Sequence, residues 1–159
     1  MNMMTELATA YPGLMGGMLT TLKVLFLAIL GGISLGTVLA LMRLSGIKAL
    51  EIPAKLYVNY FRSVPLLLVL LWFYFAVPMM YFWIAGKYLQ LDTAFTSCVV
   101  AFMMFEAAYF SEVVRAGIQS IGSGQVNAAK ALGMTYGQTM RLVILPQAFR
   151  KMLPLLLQQ

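Results

Sequence analysis

The sequence predicts an all-α integral membrane protein with three transmembrane helices, a helix-turn-helix loop after the third helix, and the start of a further span. Of its 159 residues, 62% are hydrophobic and only 10% are charged, which is more apolar surface than a soluble domain ordinarily hides. The apolar residues form runs long enough to cross a bilayer. A glycine between two short helical patterns, at position 133, predicts the loop.

The composition also excludes several kinds of chemistry. The sequence has no histidine and one cysteine, Cys98. An internal disulfide is therefore excluded, and a zinc or iron site is not expected. Ser-His and Cys-His catalytic pairs are excluded as well. We predict no catalytic residue, no metal and no cofactor.

The first span is predicted at about 22–42. Val24 to Met42 is a run of 19 residues without a charge, close to the 20 that a spanning helix needs. Small residues recur in it at intervals of four, at Ala28, Gly32, Gly36 and Ala40. Such a strip allows close approach of another helix, which belongs either to the same chain or to a second subunit.

The second span is predicted at about 64–86, within 24 uncharged residues between Arg62 and Lys87. The aromatic residues 81–83 fit an interfacial belt. Pro78 removes a backbone donor and predicts a kink or a break in this helix.

The third span is predicted at about 93–114, and two carboxylates interrupt it. Glu106 lies deep in the span, where a charge is costly. It is either tied to a neighbouring helix or lines a translocation path. Glu112 lies nearer the end of the span, three residues before Arg115, where such a pair contributes little.

The basic residues predict the orientation. Four lie between 43 and 62 and five between 115 and 151, whereas the segment between the second and third spans holds only Lys87. Because basic loops stay in the cytoplasm, we expect an outside N-terminus with 43–63 and 115–151 inside. The net charge of +6 follows from this topology, so no nucleic acid partner is predicted.

The loop at about 118–146 begins with a short helical pattern. Ser123 is a predicted N-cap, and Gly133 is the expected left-handed residue that ends the helix after Leu132. Ala128, Ala129 and Leu132 are expected to share a face of little bulk, suited to a groove on a partner. The alternative is an amphipathic helix lying on the membrane surface.

A second helix is predicted after the glycine. Thr135 and Gln138 have the spacing of a capping box. This helix is expected to end before Pro146.

The spacing in this loop resembles the cytoplasmic motif of ABC importer permeases, which is Glu-Ala-Ala, three residues, Gly, nine residues, then Ile-x-Leu-Pro. The chain has the same spacing but carries Asn in place of Glu and Val in place of Ile; the matching positions are Asn127, Ala128, Ala129, Gly133, Val143, Leu145 and Pro146. The Glu-Ala-Ala triplet at 106–108 lies inside a span, where no soluble partner can reach it. We therefore assign the motif to 127–129.

Two further stretches, YVNYFRSVPLLLVLLWFYFAVP and FEAAYFSEVVRAGIQSI, are similar to polar amino acid permeases, most of all to the glutamate/aspartate subtype. The resemblance implies a transport subunit of the bacterial inner membrane that is not itself an enzyme. It implies these partners: ATPase subunits, a second permease subunit as homo- or heterodimer, a periplasmic amino acid-binding protein, and the amino acid. The apolar composition adds membrane lipid as a partner. The helix at 124–132, with Leu132 at its end, would be the coupling helix on the ATPase.

The resemblance also implies about two further spans after the loop, and the apolar stretch from Ile144 to the last residue is too short to cross a bilayer. We therefore expect the 159 residues to be an incomplete permease domain. An ion-coupled secondary transporter using Glu106 or Glu112 is the alternative function, and a membrane anchor without a transport role is a third. The spacing of the loop favours the ABC permease. The chain has no Gly-x4-Gly-Lys-Ser/Thr phosphate loop, so ATP would be hydrolysed by a separate chain.

Overall fold

The computed structural model describes residues 3–88 and 92–156, which are helical over most of their length. The helices are α1 (Met3–Leu44), α2 (Lys48–Ser63), α3 (Leu66–Ala85), α4 (Thr93–Gln119), α5 (Ser123–Ala131), the short α6 (Tyr136–Gln138), a π-helical segment (Thr139–Ile144) and α7 (Leu145–Leu156). Three of them are long and apolar enough to cross a membrane: Thr9–Leu44, Leu66–Ala85 and Thr93–Gln119. The predicted fold class is confirmed.

The strip of small residues on α1 packs against α4 inside this chain. Ala28 and Ala40 are 4% and 0% exposed. A Cβ added to Gly36 would lie 2.8 Å from the carbonyl oxygen of Ala107, closer than two such atoms can approach. Of the two alternatives for the strip, packing within the chain is therefore the one observed.

One helix runs further than the sequence predicts, and another is continuous through its internal proline. Helix α1 begins about twenty residues before the predicted span and continues through Pro12. Helix α3 continues through Pro78 and ends at Ala85, and the cap residue Gly86 has φ 65°. Of the kink or break predicted at Pro78, the break does not occur, because the missing donor costs the helix one hydrogen bond while the remaining turns keep theirs.

Helix α2 was not predicted; the sequence placed a basic loop over 43–63. Its buried residues are Ala54, Val58 and Phe61, which follow at four and three residues and so form one helical face. They join the core between α1, α3 and α4. The signal was present in the sequence, but the run is too short and too basic to be read as a span.

Candidate functional site

Helix α5 ends in the glycine turn that the sequence predicts. Gly133 has φ 72°. Its N–H donates to the Lys130 carbonyl over 2.9 Å, and the Met134 N–H donates to the Ala129 carbonyl over 3.1 Å, which is the Schellman pattern. The N-cap prediction is wrong by one residue: Gly122 occupies that position, without a side-chain cap.

The predicted capping box is confirmed. The Gln138 N–H donates to Thr135 Oγ1 over 3.3 Å, and the Thr135 N–H donates to Gln138 Oε1 over 2.8 Å. Together these bonds satisfy two donors that the start of a helix leaves unpaired. The turn between α5 and α6 is therefore defined on both sides by local hydrogen bonds.

The helix expected to end before Pro146 continues through it. The segment Thr139–Ile144 is π-helical, and the Leu145 N–H donates to the Met140 carbonyl, five residues back. A proline lacks the N–H and crowds the carbonyl four residues before it, here that of Leu142. The wider π turn accommodates this position, which is why the helix does not stop.

The π segment also sets which side chains face inward. The buried residues follow at intervals of five, four and four: Thr139, Ile144, Ala148 and Met152. In a regular α-helix the first interval would be three or four. The extra residue in the π turn keeps the buried stripe continuous from the loop into α7.

This stripe fastens the loop to the end of α4. One buried cluster, called the loop cluster below, contains Ile121, Ile144, Ala148 and Met152. A Cβ added to Gly117 of α4 would lie 2.3 Å from Met152 Cγ, so the two helices meet at a glycine. The loop is thus held by the bundle rather than extending freely from it.

Helix α5 packs against the π segment with Ala129 on its buried side, 3% exposed. The expectation that Ala128, Ala129 and Leu132 share one outward face is therefore wrong. The outward side carries Asn127, Ala128 and Ala131, with Leu132 81% exposed at the end. Ala131 was missed, although its spacing of four from Asn127 places it on the same face.

The remaining motif positions lie at the end of the π segment and the start of α7. Val143 is half-buried against the loop cluster, whereas Leu145 is 41% exposed and Pro146 is exposed. The motif residues thus divide into an inward set that holds the loop and an outward set that is free to contact another protein.

A charged cluster lies near the same end of the bundle. Glu112 Oε2 lies 2.7 Å from Arg43 Nη1 and 3.7 Å from Arg62 Nη1, and Glu112 Oε1 accepts a hydrogen bond from Arg115. The Arg43 side chain is only 7% exposed. One carboxylate therefore joins α1, α2 and α4, whereas the sequence indicated only the local pair with Arg115.

Glu106 lies apart from this cluster. It lines a cavity of about 750 Å³ between α1 and α4, together with Cys98, Phe102 and Phe110. In the described ranges 3–88 and 92–156, Glu106 has neither a hydrogen bond nor an ion pair. It is therefore not tied to a neighbouring helix within the part of the chain that the structure describes.

Long apolar helices with an anchored helix–glycine–helix loop define a membrane-embedded transport subunit of the ABC type. The family described as binding-protein-dependent transport system inner membrane component matches residues 32–159, and the chain belongs to this family. It is a permease subunit of an ABC amino acid transporter.

The chain is 52% identical over 155 residues to the glutamate/aspartate import permease protein GltK of Escherichia coli O157:H7, covering 98% of this chain and 69% of the relative. It is 37% identical over 152 residues to the probable amino-acid ABC transporter permease protein YckA of Bacillus subtilis, covering 94% and 63%. A crystal structure of an amino acid ABC transporter with histidines superposes with a TM-score of 0.81 at 38% identity, covering 96% and 67%.

Proposed function

We propose that the chain is the permease subunit of a glutamate/aspartate importer, with ATP hydrolysed by separate ATPase subunits. The 52% identity to the Escherichia coli glutamate/aspartate permease supports this substrate. The proposed partners are a second copy or a related permease and a periplasmic amino acid-binding protein. The chain itself is not an enzyme in this proposal.

The proposed orientation has the N-terminus outside and the basic segments 43–63 and 115–151 in the cytoplasm. The distribution of Lys and Arg supports it. In this orientation, α5 lies on the side where ATP is available. The proposed location is the bacterial inner membrane.

The observation that carries the proposed coupling role is the outward face of α5. A helix of nine residues is unstable alone in water, yet this one is held by the Gly133 turn, the Thr135 cap and the loop cluster. Its outward face presents Asn127, Ala128 and Ala131. Side chains this small allow a partner to approach the helix closely, and the exposed Leu132 offers apolar area beside them.

The residue at the usual Glu position contributes little in this proposal. Asn127 is exposed and uncharged, so it forms no salt bridge with an ATPase. A single polar contact at a wet rim is readily replaced by water. Close packing by the alanines, rather than a charge, then carries the contact.

The test compares alanine-to-tryptophan variants of the permease by the amount of ATPase that purifies with it. We expect Ala131→Trp to abolish ATPase retention while the permease keeps its membrane level and thermal stability. Ala129→Trp should lose both, because Ala129 is buried within the chain. Asn127→Ala should lose little.

Ala94→Trp is the matched control, since Ala94 is exposed at the start of α4, the other end of that helix from the loop. If Ala131→Trp retains the ATPase as well as Ala94→Trp does, the outward face of α5 is not the docking surface. Loss of the ATPase in Asn127→Ala alone would mean that a polar contact holds the interface.

We also propose that Glu106 lines the translocation path. Its support is the cavity of about 750 Å³ that Glu106 lines, with no ion-pair or hydrogen-bond partner among the described residues, since a carboxylate at membrane depth is kept for a partner or a purpose. Glu106→Gln should raise the KM for uptake or lower kcat at an unchanged ATPase content. Unchanged uptake kinetics would remove Glu106 from the path.

A further inference from the structure

Helix α2 carries an exposed apolar stripe that the proposed function does not use. Ile52, Leu56 and Tyr60 follow at intervals of four and are 55%, 65% and 61% exposed. They lie on the side of α2 opposite the buried residues Ala54 and Val58. More than half of each of these three large side chains is therefore uncovered, although the Tyr60 ring makes an edge contact with Phe61 of the same helix.

A row of cations runs beside this stripe. Lys48, Lys55 and Arg62 follow at intervals of seven, which is two helical turns, so they line up along one side of α2. All three are exposed. Lys55 pairs with Glu51 and Arg62 pairs with Glu112, so the three cations and these two carboxylates sum to +1. The stripe and the row together have the composition of a helix that lies in a membrane interface.

The ends of α2 place it at the membrane surface. It connects the end of α1 to the start of α3, two helices of membrane-spanning length. Arg43, at the end of α1, and Arg62, in the last turn of α2, both reach Glu112 Oε2. Because both ends of the connection meet one carboxylate, α2 runs along the surface rather than through the bilayer.

The contact of Tyr57 shows which side of α2 faces the centre of the bilayer. The Tyr57 hydroxyl donates to the Met104 carbonyl over 2.8 Å, and Met104 lies in the middle of α4. Burial raises the pKa of Tyr57 to about 12, so the phenol keeps its proton and remains a donor. Lys48 and Lys55 lie on the opposite side of α2 from Tyr57, whereas Arg62, in the last turn, reaches Glu112 of α4. The two lysines therefore point away from the bilayer centre, and the apolar stripe lies at an intermediate depth.

We propose that α2 is an interfacial helix that binds anionic phospholipid in the leaflet at the basic end of the bundle. Ile52, Leu56 and Tyr60 insert among the upper acyl chains, and Lys48 and Lys55 contact the headgroup phosphates. Charge complementarity supports a lipid surface as the occupant: cations adjacent to an apolar stripe are attracted to an anionic leaflet. This site is independent of the ATPase contact on α5.

The test uses the full chain in nanodiscs, with Cys98→Ala and Leu56→Cys labelled with a bimane fluorophore. The probes are phosphatidylglycerol and phosphatidylcholine with brominated acyl chains, which quench bimane on contact. We expect quenching by both lipids, with a clear preference for phosphatidylglycerol. Lys48→Gln and Lys55→Gln should each lower that preference by about fivefold.

Lys87→Gln is the matched control and should leave the preference unchanged. Lys87 is an exposed cation that follows α3, at the opposite end of that helix from α2. Equal quenching by the two lipids, or the same loss in Lys87→Gln as in Lys48→Gln, would overturn the proposal. Absence of quenching, with cross-linking between Leu56→Cys residues of two chains, would instead assign the stripe to a contact between permease subunits.

Discussion

Replacing Gly133 with valine should uncouple the loop through backbone strain alone. Gly133 has φ 72°, and a Cβ added there would have no heavy atom within 4 Å, so no steric contact contributes. A left-handed conformation costs an L-residue about 1–2 kcal/mol, and a β-branched residue resists it further. That cost shifts the turn toward other conformations by a factor of about 5–30.

The shift matters because α5 has no independent stability. Its nine residues depend on the turn and on packing against the π segment. The measurement is the amount of ATPase that purifies with the permease, together with amino acid uptake, at equal membrane levels. Gly133→Val should lower the apparent affinity for the ATPase by up to about 5–30-fold, and ATPase retention and uptake should fall with it.

Two control variants make the test specific to backbone strain. Gly137→Val also adds a Cβ in open space, at a position without positive φ, and should be close to wild type. Gly133→Asn should retain most of the activity, because asparagine tolerates the left-handed region. If Gly133→Val behaves like Gly137→Val, or if asparagine is as damaging as valine, the glycine turn does not position α5.

Three further predictions concern the bundle. Glu112→Gln should lower the free energy of unfolding by about 1.5–3 kcal/mol, because hydrogen bonds between charged groups are lost. Glu106→Gln should leave it unchanged. Equal melting temperatures of the two variants would contradict this. Gly117→Ala should loosen α7 from α4, which is measured as increased proteolysis of α7. Adding Met152→Ala should restore the protection, because it removes the side chain that the new Cβ meets. If the double variant is not rescued, the contact between Gly117 and Met152 is not the cause. Deletion of Val143 should convert the π turn to a regular α-helical turn, which places the buried stripe of α7 out of register. The loop should then lose hydrogen-exchange protection. Unchanged protection would show that the extra residue is dispensable.

The structure gives Glu112 partners that the sequence does not indicate. From the sequence, Glu112 has only a weak local pair with Arg115, and Glu106→Gln is expected to reduce uptake more than Glu112→Gln. The structure adds Arg43, 69 residues away along the chain, and Arg62. For stability, Glu112 is therefore the more important of the two, whereas a role for Glu106 concerns the cavity.

The sequence by itself determined the features that depend on local chemistry. Long apolar runs identified the three helices of spanning length, because their length and composition are properties of single segments. Gly133 and the Thr135–Gln138 pair identified the turn and the cap, because both act within five residues. The motif spacing identified the family because it is a property of one continuous segment of the chain.

Only the tertiary structure decided which side of each helix faces inward. Ala129 is buried because the π segment, beginning ten residues later, packs against it, and the extra residue of that π turn is not visible as a pattern of apolar spacing. The helical face of α2 and the contacts of Glu112 likewise depend on residues that lie far apart in the chain. Hydrophobic burial and ion pairing act between whichever surfaces the fold brings together, so local propensity placed the helices and long-range packing assigned their faces.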